Sequence, residues 1–285
     1  MPSFIAVIGA GELGGAAAQA IAALDCVREV RLIDTNAAGA AGKALDIMQA
    51  ASLVGHATRV TATGDTRAAS GAAAIVIADV GSTSREWQGE DALALLRRVW
   101  ETAESERSVI VCAGASHAVV IGTAVREIRI DRRRILGSAP AAFESAVRSL
   151  AGIALDGSGA DVSLMVLGLP PASIVPCWSQ ATFGGAAITS RLSAAQLAAI
   201  DARLPKLWPP GAYTLGSAAA RVAAAAVRGS RRDLTTFVAL DGEFGLRFSV
   251  AALPVRVGPD GAERIVEPEL SPQERVRLEQ LEVRS

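Results

Sequence analysis

The chain is poor in the residues that usually carry proton and metal chemistry. Its 285 residues include two histidines (His56 and His117), three cysteines, one tyrosine and two lysines (Lys43 and Lys206). A histidine mechanism must use one of those two positions. Zinc sites built from several Cys and His side chains are excluded by count. Cys26, Cys112 and Cys177 are scattered, make no disulfide framework and suit a reducing compartment. No charge dominates: 28 basic and 29 acidic residues leave a net charge of −1. That gives no reason to expect nucleic acid or an anionic membrane as partner. Arg132-Arg133-Arg134 and Arg231-Arg232 are too short for a nucleic-acid footprint. No basic segment precedes the first apolar run, so no secretory signal is expected and a cytoplasmic location is. The charge-free stretch Val162 to Ser190 is interrupted by Pro170, Pro171, Pro176 and three glycines, which excludes a membrane helix.

What is present is a large apolar fraction, 51% of residues, enough for a sizeable core. Phe4 to Ile8 is a continuous apolar run of the kind buried on both sheet faces. An alanine-rich helix follows over Gly15 to Leu24. Strands are expected at Glu29 to Ile33, Arg59 to Thr63, Ala74 to Ala78, Val109 to Cys112 and Arg134 to Gly137. Helices are expected at Ala37 to Val54 and Glu90 to Glu104. This alternation implies a doubly wound parallel sheet with helices on both faces. The second half reads as mixed α+β. A strand is expected at Val162 to Leu167, with helices near Ser193 to Leu204 and Ala212 to Arg228. Strands follow around Thr235 to Leu240, Phe248 to Leu253 and Arg264 to Glu267. Gly258-Pro259-Asp260-Gly261 reads as a hairpin turn. Ser271-Pro272-Gln273-Glu274 reads as the capped start of a last helix. The expected domains are residues 1–142 and 143–285.

Between the first strand and helix lies Gly9-Ala10-Gly11-Glu12-Leu13-Gly14. A strand, this G-x-G-x-x-G turn and a helix make a phosphate cradle. The backbone comes close to a pyrophosphate, and the helix N-terminus supplies N–H donors and a positive dipole end. Asp34 lies 20 residues after Gly14, at the end of the second strand, where a carboxylate accepts ribose hydroxyls and repels a 2′-phosphate. NAD is therefore the expected cofactor. The expected contacts are Gly9, Gly11, Glu12, Leu13, Gly14, Asp34 and Thr35, with Ala78, Asp79 and Val80 after the fourth strand. Two of these oppose binding. Glu12 inside the turn costs on the order of 1 kcal/mol by like-charge repulsion, and Asp79 adds a second acid. The residues also allow a Rossmann scaffold that keeps the turn without the ligand.

The chain resembles the lactate/malate dehydrogenase family over nearly its full length. The resemblance rests on Ile5-Ala-Val-Ile-Gly-Ala-Gly-Glu-Leu-Gly14, Leu32-Ile-Asp34, Gly42-Lys-Ala-Leu-Asp-Ile47, Arg134-Ile-Leu-Gly137 and Val166-Leu-Gly168. It continues in Ser173-Ile-Val-Pro176, Gly216-Ser-Ala218, Leu240-Asp-Gly-Glu-Phe-Gly245 and Leu253-Pro-Val-Arg-Val-Gly258. It implies a Rossmann domain, a mixed α+β substrate-type domain, and a homodimer or homotetramer. In the family the helix opening at Gly42-Lys43 lies at the dimer interface, so Met48 and its neighbours are interface or core.

The chemistry that the resemblance implies is missing. The family needs a histidine as general acid/base, an aspartate to orient it and an arginine to clamp the substrate carboxylate. Its Val-Leu-Gly-x-His-Gly-Asp-Ser-x-Val-Pro reads Val166-Leu-Gly-Leu-Pro-Pro-Ala-Ser-Ile-Val-Pro176 here, so Pro170 replaces the histidine. The clamp arginine falls on Ala146 or Val147, and the aspartate on Phe143 or Glu144. Arg148 is near, but about 100° or more around the helix. The loop arginines fall on Thr83 and Gly89, with Arg85 displaced, and the asparagine falls on Ala113. His117 is expected as a partly exposed helix-start residue and His56 as a loop residue. Losing a positioned acid/base costs about 10²–10⁴ in rate. No catalytic residue and no metal ligand is assigned. The expected function is a family member that binds NAD(H), lacks lactate or malate dehydrogenase catalysis, and acts through oligomers or a protein partner. The alternative is an NAD-dependent oxidoreductase on another substrate with relocated groups.

Overall fold

The computed structural model describes residues 4–81, 83, 85–102 and 108–279. The N-terminal strands are β1 (Phe4–Ile8), β2 (Glu29–Ile33), β3 (Arg59–Thr63), β4 (Ala74–Ile77), β5 (Val109–Cys112) and β6 (Ile135–Gly137). They lie in the order β3-β2-β1-β4-β5-β6, all parallel. This is the doubly wound order of dinucleotide-binding folds. The apolar runs of β1, β4 and β5 are buried along their whole length, as two covered sheet faces require. Helices α1 (Glu12–Ala23), α2 (Ala37–Val54), α3 (Gly89–Thr102), α4 (His117–Thr123) and α5 (Ala139–Ala154) follow the strands in turn. The end of the expected 90–104 helix lies outside the described residues. Asn36 caps α2, accepting from the Gly39 N–H, and Gly55 closes it in the left-handed conformation, which glycine adopts without steric cost.

The same sheet continues antiparallel into the second half. β7 (Val166–Leu169), β8 (Ser173–Pro176), β9 (Leu234–Asp241), β10 (Arg247–Gly258) and β11 (Gly261–Ile265) are its further strands. β9 pairs with β6 through Phe237 opposite Gly137. The order outward is β9-β10-β7-β8, and β11 pairs with β10. Pro259 and Asp260 form the two-residue turn between β10 and β11, with Gly258 opposite Gly261. The expected strand over Val162 to Leu167 is in fact two. Val162–Ser163 pairs with Thr182–Phe183 in a separate small sheet, and the chain re-enters the main sheet only at Val166. The sequence reads as one strand there because Val162 and Leu164 to Leu167 are apolar and largely buried in both pieces. The helices are α6 (Ala194–Asp201), α7 (Ala212–Arg228) and α8 (Pro272–Glu279).

The two halves share a core. α7 lies on α1, and a Cβ on Gly216 would stand 2.7 Å from the Ala17 nitrogen, so the helices approach to backbone contact there. α5 runs unbroken through residues 142 and 143. Its buried Phe143 meets Trp208 edge to face, and Trp208 meets Phe237 likewise. Glu274 and Ser271 make the expected reciprocal cap on α8: Ser271 N–H donates to Glu274 at 2.9 Å and Glu274 N–H to Ser271 Oγ at 3.4 Å.

Candidate cofactor site

The sheet register decides which side chains meet at the glycine turn. Ile8 lies opposite Ile33 of β2 and Ile77 of β4. The residues just beyond those strands, Asp34 and Ala78-Asp79, are therefore brought beside Gly9, Ala10 and Gly11. This is the crevice at the carboxyl ends of the strands where open α/β sheets bind ligands.

All ten sequence-predicted contacts lie on the three segments that border this crevice, but two of the side chains are already committed. Asp79 is 1% exposed. Its carboxylate accepts from the backbone N–H groups of Gly11 (3.1 Å), Leu13 (2.9 Å) and Gly14 (3.1 Å). These are the orphan donors of the first turn of α1, which an N-terminal capping group normally satisfies. Gly11, the cap position itself, has no side chain to do so. The glycines make room for Asp79. A Cβ on Gly11 would sit 2.2 Å from its carboxylate oxygen, and one on Gly9 would sit 1.8 Å from its backbone carbonyl oxygen. Lys43 reaches across from α2 and donates to the Gly11 carbonyl at 2.8 Å.

Asp34 is also turned inward. One oxygen accepts from Ala10 N–H (2.8 Å) and Gly81 N–H (3.0 Å), the other from Asn36 N–H (2.8 Å). A carboxylate has about four lone-pair sites, so little capacity is left for two ribose hydroxyls. Glu12 and Thr35 are exposed, Leu13 and Ala78 are buried, and Val80 is half-buried. The N–H groups of Gly11, Leu13 and Gly14, which a glycine turn presents to phosphate, are thus all bonded to Asp79.

The segment after Asp79 extends this closure. Asp79–Val80 pairs antiparallel with Arg85–Glu86. Glu86 accepts from the N–H groups of Ala115 (2.7 Å) and Ser116 (2.8 Å) and from the Ser116 hydroxyl, just beyond β5. His117 follows, and it is fully buried rather than partly exposed as expected. Its Nδ1 accepts from Gly114 N–H at 3.0 Å, and its Nε2 has no hydrogen-bond partner among the described residues. Burial pushes its pKa down against the pull of Glu86 and of the Trp87 backbone. His117 is a neutral, enclosed imidazole, unsuited to meet a substrate. Thr83 and exposed Arg85 belong to this hairpin, and Gly89 begins α3.

Pro170 is buried at the turn between β7 and β8. Phe143 and Val147 are core residues and Ala113 is fully buried. Arg148 is spent on the fold, donating from Nε to the Val162 carbonyl at 2.7 Å. Glu144 accepts from Thr235 Oγ1 and stands 3.8 Å from Arg148. Burial pushes its carboxyl above the ordinary range despite those partners. Cys112 and Cys177 are buried and pushed up to about 12 by desolvation, so neither thiol is a nucleophile near neutral pH. Among the described residues, no group of three or more His, Cys, Asp or Glu side chains could hold a metal ion.

A parallel sheet in this order, a glycine turn at its switch point and an acid closing the second strand define a Rossmann-type α/β protein with a mixed α+β second half. Residues 4–120 match the NAD binding domain of lactate/malate dehydrogenase, and residues 206–283 match the alpha/beta C-terminal domain. A malate dehydrogenase from Thioalkalivibrio sulfidiphilus is 30% identical over 97% of this chain and 95% of its own. A malate dehydrogenase structure from Salinibacter ruber superposes with a TM-score of 0.87 at 25% identity, covering 98% of this chain and 94% of that one. A minor L-lactate dehydrogenase from Enterococcus mundtii, at 20% identity, shares the fold with a TM-score of 0.84 over 99% of this chain and 95% of that one. The chain belongs to the lactate/malate dehydrogenase family, and its N-terminal half is that family's NAD-binding domain.

Sequence reasoning placed Asp79 at the site but missed its role. The available signal was an acid two residues past a strand that borders the glycine turn.

Proposed function

We propose that this chain is a family member without 2-hydroxy-acid dehydrogenase activity. The observation that carries the reading is Pro170 at the turn between β7 and β8, where the family's pattern has its histidine. Proline has no side chain that takes or gives a proton. The absence of a free arginine at Ala146 and Val147 supports the same conclusion, since an unpaired substrate carboxylate costs about 2–5 kcal/mol of binding. His117 does not replace the base, because it is enclosed and neutral. The dinucleotide role belongs to residues 1–142 and the substrate-type role to residues 143–285. The cofactor that fits the chain's ancestry is NAD(H), with Asp79 competing for its cradle. The test is NADH oxidation with oxaloacetate, pyruvate and a panel of other 2-oxo acids. Turnover stays at background with all of them. Steady turnover of oxaloacetate or pyruvate would refute the reading.

The chain acts as a homo-oligomer through α2. Only Ala40, Ala44 and Ile47 of that helix are buried, while Leu45 and Leu53 are 60% and 89% exposed. Met48 is half-buried and packs against the core, with its sulfur accepting from Val60 N–H at 3.1 Å. The outer face of alanines and leucines is the surface a second copy would cover.

A further inference from the structure

We propose that the paired segments Asp79–Val80 and Arg85–Glu86 are a built-in occupant of the dinucleotide groove, with the Asp79 carboxylate standing in for the ligand's diphosphate. Three features carry this. Asp79 takes the N–H groups of Gly11, Leu13 and Gly14 together, the donors that a glycine-rich turn presents to phosphate. The absence of a Cβ at Gly9 and Gly11 is used up by Asp79 itself, whose atoms lie where those Cβ atoms would be. The acid of the paired strand, Glu86, is bonded to Ala115 and Ser116, so Asp79 and Glu86 are each held by backbone N–H groups.

A carboxylate on the chain has two advantages over a free ligand. It is held beside the donors by the β1–β4 register, at an effective concentration that a dissolved dinucleotide does not match. It also adds a like charge that a diphosphate would have to approach. The glycine motif thus remains necessary in this sequence while the ligand it usually serves is displaced. NAD(H) and other diphosphates enter only when Asp79 leaves the cradle.

The inference is separable from the loss of catalysis, because it concerns binding alone. NADH binding to the full-length protein is measured by calorimetry and by ligand-induced thermal shift for wild type, Asp79→Ala and Asp79→Asn. Adenosine serves as a probe without phosphate. Wild type binds NADH only near millimolar concentration. Asp79→Ala binds it at least tenfold tighter and gains a thermal shift of several degrees, while adenosine binding is unchanged. Asp79→Asn keeps an acceptor oxygen without the charge and falls between them. Should Asp79→Ala not fold, Asp79→Asn decides, and NADH binding no tighter than wild type overturns the proposal. It is also overturned by tight NADH binding to wild type, by equally weak binding to wild type and variant, or by an equal gain for adenosine. Each protein is also assayed with oxaloacetate and pyruvate. A variant that binds NADH and turns over nothing supports this proposal and leaves the non-catalytic reading intact. A variant that binds NADH and turns over oxaloacetate supports this proposal and refutes that reading.

Discussion

Replacing Asp79 by alanine should expose how much of the fold rests on one carboxylate. The substitution removes the acceptor for three backbone N–H groups and the negative charge at the N-terminus of α1. Loss of an N-terminal cap costs about 0.5–2 kcal/mol, and the charge–dipole interaction about 0.3–1 kcal/mol. Leaving donors unmet costs about 1–3 kcal/mol each in a sealed interior, and water that enters the volume left by the carboxylate offsets most of that cost. The net loss is therefore about 1–3 kcal/mol. For a chain of this size each kcal/mol lowers Tm by roughly 2–4 °C, so the variant should melt about 2–12 °C below wild type. Urea unfolding followed by far-UV circular dichroism measures the free energy, and a thermal scan gives the shift. Asp79→Asn should lose about half as much. A loss below about 0.5 kcal/mol for Asp79→Ala would refute the reasoning, since it would mean that the first turn of α1 needs no anion from Asp79.

Other consequences follow from the same structure. Burial acts to raise the Glu274 carboxyl, but bonds from Ser179 and Ser271 outweigh it and hold it below the ordinary glutamate value. The stability it contributes is present above the unfolded glutamate pKa, about 4.3, and is lost as pH falls through the lower folded value. Glu274→Gln should flatten that acid limb of a stability–pH curve, and an unchanged limb would exclude Glu274 as its source. Cys26, Cys112 and Cys177 are all buried, so iodoacetamide should leave the native protein unlabelled at pH 8 and label three thiols in denaturant. Rapid native labelling would contradict the packing. Leu45→Glu with Leu53→Glu should convert an α2-mediated dimer to monomer by light scattering while leaving Tm of the monomer within about 2 °C, because exposed sites tolerate substitution to within about 0.5 kcal/mol. An unchanged mass would place the interface elsewhere.

Much of the fold was legible in the chain because the determining signals are local. β1, β2, β3, β5, α2 and α7 fall at the residues that hydrophobic runs and periodicity indicate. The Ser271 cap and the Gly258–Gly261 turn are where short-range chemistry puts them. That Pro170 carries no titratable group was equally readable, since no tertiary setting lets a proline side chain take or give a proton. What the order of residues could not reveal was contact between distant segments. Val162 to Leu167 reads as one strand, yet it serves two sheets, because hydrophobicity marks burial and not the partner strand. His117 is a helix-start residue by sequence, but the tertiary structure buries it fully, with Glu86 near it. Asp79 is 65 to 68 residues from the turn it caps, and only the parallel pairing of β1 with β4 brings its carboxylate onto those N–H groups. The glycine motif by itself determined that an anion would be held there, and the tertiary structure decided that the anion is the protein's own.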